Sequence, residues 1–232
     1  MKSASIRCKR FHHQFAVCLV FACALMVLAI GPSSAAAGNN TSTGDAAPAF
    51  STSPWADATR GLYLGVGLGG SSVPTVDRGA TALDIRNDGG ALALSLGYGF
   101  NPVFALELRI SGAGHDTSVR TIDAGFAAIE ALAVYRWRPH HPFRPYVRAG
   151  LGGYGITLDD GIAHTTVSGG GIPFGGGVEY FLGQHVSLGF DITHRVIDYD
   201  KITVDTGSTT GAFAVDRNGS QTSSTFTIGV YF

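Results

Sequence analysis

Eight ionisable side chains recur at alternate positions beside large apolar ones: Glu107 and Arg109, Glu130 and Arg136, Arg148, Glu179, and Asp191 and Arg195. The chemistry open to four carboxylates and four guanidiniums is ion pairing, in which a planar guanidinium fork grips a carboxylate through two parallel hydrogen bonds. Pairing of that kind is what allows charged groups to be buried. Nucleophilic catalysis would need a serine hydroxyl beside a histidine base and an orienting carboxylate. His194 is the best base, but Ser187 lies at the other end of its segment, and Ser168 and His164 fall in a stretch read as a loop. His140 and His141 are adjacent on a Pro-rich turn without a third ligand or a carboxylate nearby, so they read as solvated and no metal or other cofactor is expected. Asp159, Asp160, Asp198, Asp200 and Asp205 read as solvated loop charge rather than a cation site.

The elements that carry the eight charges alternate with period 2, as strands do. Eight segments come close to the roughly 9 to 11 residues that a tilted strand needs to cross a bilayer: 60–70, 90–100, 103–112, 125–137, 145–156, 171–182, 186–197 and the terminal TFTIGVYF, 225–232. In the second, Leu92, Leu94, Leu96, Tyr98 and Phe100 oppose Ala91, Ala93, Ser95, Gly97 and Gly99; in the third, Phe104, Leu106, Leu108 and Ile110 oppose Glu107 and Arg109. The fourth is mixed, since Leu132 and Val134 share parity with Glu130 and Arg136 while Ile129, Tyr135 and Trp137 take the other face. Short connections follow segments 2, 4 and 6. Longer polar ones, at about 71–89, 113–124, 157–170 and 198–221, follow segments 1, 3, 5 and 7, the asymmetry of transmembrane barrels.

Sidedness follows from cost. An arginine held in hydrocarbon at the midplane costs about 2 to 4 kcal/mol, and four of them exceed what a small domain can absorb. The charged face therefore turns inward, and the Leu, Val, Ile and Phe face meets lipid. The expected fold is all-β: an eight-stranded antiparallel up-and-down transmembrane β-barrel over 60–232, with every backbone group paired in the closed ring. Tyr98, Phe100, Tyr135, Trp137, Tyr180 and Phe232 collect near the short-turn ends, where an aromatic girdle belongs.

The N-terminus places Lys2, Arg7, Lys9 and Arg10 before an apolar run over 15–30 and the small-residue stretch GPSSAAAG. That order reads as a signal peptide, 1–37, with a signal helix and cleavage after Ala37, Ala35 and Ala37 forming the small pair. Residues 38–59, small and polar with two prolines, read as a flexible periplasmic linker. Cleavage removes all three cysteines, Cys8, Cys18 and Cys23, so neither disulfides nor thiolate chemistry is expected in the exported chain. It also removes four of the 16 Lys and Arg and none of the 17 Asp and Glu, for a net charge of −5. A basic footprint for nucleic acid is absent.

PYVRAGLGGYG (145–155), GGGVEYFLGQHVSLGFDITHR (175–195) and the terminal FTIGVYF resemble the small outer membrane β-barrel superfamily of the OmpA, OmpX, OmpW and opacity-protein type, over roughly 60–232. The resemblance implies a monomer in the cell outer membrane, in contact with outer membrane lipids and lipopolysaccharide. It also implies that Phe226, Ile228, Val230 and Phe232 form the signal read by the barrel-assembly machinery. A non-enzymatic barrel with a charge-paired lumen and contact-making surface loops is the function expected. A narrow pore, or an OmpW-like passage for small apolar molecules, is the alternative, although such a passage wants an apolar lumen. Barrel lipid A deacylases, in which His and Ser stand two apart, are a poorer match, because position 196 is Val.

Overall fold

The computed structural model describes residues 58–72, 85–117, 123–159, 164–206 and 209–232. Eight strands run in chain order: β1 Gly61–Ser72, β2 Ile85–Gly99, β3 Phe104–Thr117, β4 Asp123–Arg136, β5 Phe143–Asp159, β6 His164–Phe181, β7 Val186–Asp205 and β8 Thr210–Tyr231. Each pairs antiparallel with the next, and β8 returns to β1, for example through Leu64↔Val230 and Leu68↔Phe226, so the sheet closes into a barrel without crossovers. No helix among the described residues is long and apolar enough to cross a membrane.

The period-2 pattern sets the two faces. Leu94, Leu106, Leu108, Ile110, Ile129 and Leu151 are exposed on the outer wall, while Glu107, Arg109, Glu130, Arg136, Arg148, Asp191 and Arg195 are buried inside. The mixed fourth segment obeys the same phase: Leu132 and Val134 are buried beside Glu130 and Arg136, and Tyr135 and Trp137 face outward.

The strands extend further than the apolar pattern alone indicates. β6, β7 and β8 run for 18, 20 and 22 residues, about twice what a bilayer needs. Much of the expected 157–170 and 198–221 loops is therefore strand, His164 and Ser168 belong to β6, and β7 and β8 are joined through 206–209 alone. Once past the membrane these residues no longer alternate apolar with charged, but their backbones go on pairing, as in Ile202↔Phe213 and Val204↔Gly211. Bulges at Ser168/Gly169 and Tyr199/Lys201 adjust the register where the wall leaves the apolar band.

Local chemistry closes the short turns. Asn101 Oδ1 accepts the amides of Val103 (2.8 Å) and Phe104 (2.7 Å), so the β2–β3 turn is an Asx turn. Gly97 is glycine because the ring of Tyr63 lies where a Cβ would stand. Ala58 and Thr59, the last residues of the expected linker, are buried at the short-turn end of the barrel.

Candidate functional site

The lumen is built in layers by residues of one parity. At the short-turn end, Ala58, Tyr63, Ala105, Val134, Tyr146, Phe181 and Tyr231 form an apolar layer. Within it Tyr63 and Tyr231 stack with centroids 5.0 Å apart, and Phe181 lies 5.1 Å from Tyr231. Arg144, fully buried, closes this layer from below: Nε donates to the His141 carbonyl (3.0 Å), Nη1 donates to Thr59 Oγ1 (3.0 Å), and the guanidinium lies 4.5 Å over the Phe181 ring. Arg136 donates from Nε to Glu179 Oε2 at 3.1 Å, and the Tyr231 hydroxyl donates to Glu179 Oε1 at 2.6 Å.

The middle of the lumen holds two clusters. In the lower one Arg148 donates to Asp191 Oδ1 and, at 2.5 Å, to Thr193 Oγ1; its Nη1 stands 3.6 Å from Glu107. Glu107 also accepts from the Tyr63 hydroxyl (2.8 Å) and from Ser95 Oγ (3.2 Å). Arg109 reaches the same Asp191 oxygen at 3.4 Å and donates to Thr225 Oγ1 at 3.0 Å. In the upper cluster Arg195 grips Glu130 with both prongs, Nε to Oε1 at 2.6 Å and Nη2 to Oε2 at 3.1 Å, and donates from Nη1 to Gln221 Oε1 (2.6 Å) and Ser223 Oγ (2.7 Å). Gln221 passes the network on by donating to Ser71, and Tyr154 donates to Glu130 at 3.1 Å.

Above these clusters lies a second apolar layer: Ala113, Phe126, Ala128, Tyr154, Ile156, Ile197 and Tyr199. Between the two layers the charged belt leaves a cavity of about 30 Å³, lined in part by Glu107, Arg109, Arg136, Arg148, Glu179 and Asp191. That is room for a water molecule or two.

All eight charges expected in the lumen are thus brought together, although the partners are not sequence neighbours. Arg109 stands directly opposite Glu130 on β4, yet Glu130 is held across the lumen by Arg195 and Arg109 turns to Asp191. The sequence reading missed Arg144, placed in a connection, and the hydroxyl and amide partners Tyr63, Tyr154, Gln221, Thr225 and Tyr231. The signal for Arg144 was its parity, shared with Tyr146 and Arg148.

On the outer wall Tyr98, Phe100, Tyr135, Trp137, Tyr180 and Phe232 are all exposed at the short-turn end. Phe226, Ile228 and Phe232 face outward, whereas Val230, flanked by Leu64 and Val186 on the neighbouring strands, is only 8% exposed. Ser187 points into the lumen and is buried. His194 lies on the outer wall, where its Nδ1 meets Thr222 Oγ1 at 2.9 Å and its ring lies 5.2 Å from Phe174. The barrel wall separates the two, so they form no nucleophile–base pair. Among the described residues no cluster of three metal-ligating side chains occurs. Asp160 and the side chain of Asp159 lie outside the described residues, as do Ala35, Ala37 and the cysteines.

A closed ring of eight strands, apolar outside and charged within, defines a transmembrane β-barrel. The chain belongs to the family of the outer membrane protein β-barrel domain, whose model matches residues 46–232, and this family places it in the outer membrane. Among solved structures it is similar to Neisserial surface protein A, at 17% identity and TM-score 0.57, over 74% of this chain and 97% of that one. It is also similar to OprG from Pseudomonas aeruginosa, at 15% identity and TM-score 0.52, over 75% and 97%. Identities this low speak for the fold alone. No curated protein matches the sequence.

Proposed function

We propose that the protein is a non-enzymatic outer membrane barrel whose lumen is held shut by its ion-pair belt, with the wall beyond the membrane serving envelope integrity or contact with ligands and host surfaces. The observation that carries this reading is the layering: a belt of paired charges with a cavity of about 30 Å³, sealed on both sides by apolar side chains. An apolar passage would need the central layer to be greasy, and it is lined by buried, paired charges. The wall beyond the membrane carries Asp198, Asp200, Lys201 and Asp205 on β7 and the strongly exposed Phe213 on β8, a surface fitted to contact.

The same reading takes the mature protein as a monomer released after Ala37, with residues 38–59 as a flexible periplasmic linker. It takes Phe226, Ile228, Val230 and Phe232 as the segment that the assembly machinery reads, and lipopolysaccharide as the lipid around its outer half. The test is conductance of the refolded protein in planar bilayers. No steady ohmic conductance is expected from the wild type. A stable conductance that persists unchanged when Glu107 or Arg148 is neutralised contradicts the sealed lumen.

A further inference from the structure

The outer wall carries a furrow that neither the lumen nor the assembly segment uses. It crosses β3 to β6, is lined by Phe104, Ala133, Tyr135, Val147, Ala149 and Phe174 together with Arg148 and Gly175, and is an open groove of about 450 Å³, within the roughly 300 to 1,000 Å³ of small-ligand sites. Residue size makes it. In register across the four strands stand Leu106, Ala133, Ala149 and Phe174, so two methyl groups floor a gap between two large side chains. Next to Phe174 the β5–β6 pairing is interrupted between Ala149↔Phe174 and Gly152↔Gly171, a gap that contains Pro173, which has no amide hydrogen.

Directly beneath, at the short-turn end, the β4–β5 turn presents Arg138, exposed and held at φ 55°. Glycine would take that backbone conformation without strain, so the turn keeps a cation at a position that disfavours one. The other short turns, 100–103 and 182–185, contain neither Lys nor Arg. Trp137, next to Arg138 in the chain, packs edge to face at 5.1 Å on the furrow-lining Tyr135, and amphipathic rings of this kind mark lipid headgroups.

We infer that furrow and turn together bind one phospholipid with an anionic headgroup from the periplasmic leaflet, its acyl chain along the Ala133–Ala149 floor and its phosphate on the Arg138 guanidinium. The surrounding medium selects hydrocarbon for the furrow, and charge complementarity selects an anion for the turn. The inference rests on the placement of the short turns at the periplasmic side.

The experiment uses the mature barrel in nanodiscs of phosphatidylethanolamine with a minor fraction of phosphatidylglycerol, and counts the lipids retained by native mass spectrometry. One retained phosphatidylglycerol per barrel is expected. Arg138→Gly relieves the strained backbone and lowers that retention about fivefold, the size of one cation's attraction to an anionic lipid surface. Arg138→Lys keeps it, and Ala149→Leu, which fills the furrow, lowers retention of both lipids. Equal retention of the two lipids by the wild type, retention unchanged in Arg138→Gly, or a second barrel copy bound in place of lipid overturns the inference. Loss of the heat-modifiable folded band in the wild type would instead strike at the barrel itself.

Discussion

The middle of the lumen and its two ends occupy the same cylinder and are sealed by opposite means. In the middle, Glu130 and Arg195 are about 1% exposed and survive there because nearly every lone pair and proton they carry has a partner. At the ends, Phe181, Tyr63 and Tyr231 below and Phe126, Tyr154 and Ile197 above seal by packing, with hydroxyls turned toward the belt. Packing tolerates the loss of one member better than a buried ion network does, because a cavity costs its surface while an orphaned charge costs its solvation. The contrast also explains why the belt need not be a strong stabiliser: its worth lies in each charge having the other.

That contrast is broken most sharply by removing one partner. Arg195→Leu leaves Glu130 buried without its cation, and should lower stability by about 3 to 5 kcal/mol, read as a drop in the urea midpoint of the folded gel band. The double variant Arg195→Leu, Glu130→Leu should recover most of that loss. Phe126→Ala, in the outer apolar layer, should cost about 3 kcal/mol without opening conductance, since the belt beneath remains. On the outer wall, Leu94→Arg should cost about 2 to 4 kcal/mol in the same assay, although arginines are buried on the inner side of the same sheet. Asp200→Asn, on the wall beyond the membrane, should change stability by less than about 0.5 kcal/mol.

Strand count, closure and sidedness were legible in the sequence because lipid enforces alternation: Leu92 to Phe100 and Phe104 to Ile110 admit one phase only. The legibility ends where lipid does. From Asp198 to Gly219, water accepts either face, so side chains stop reporting the backbone and 198–221 reads as a loop although β7 and β8 continue through most of it. The lumen residues were legible as a set because an inward charge is recognised by parity. Their pairings were not, because partners such as Arg195 and Glu130, or Arg148 and Asp191, meet across the barrel between strands that do not adjoin. Arg144 was hidden by the prolines around it, which mark a turn while β5 has already begun.

Sidedness is tested most directly by a nitroxide scan of β2. The three cysteines all lie within the first 23 residues, so a barrel produced from residue 38 onward accepts single cysteines at 91 to 98 one at a time without a competing thiol. Collisional access to oxygen dissolved in the bilayer should alternate with period 2, high at 92, 94, 96 and 98 and low at 91, 93, 95 and 97. The opposite phase, or access that does not alternate, contradicts a barrel that is greasy outside and charged within.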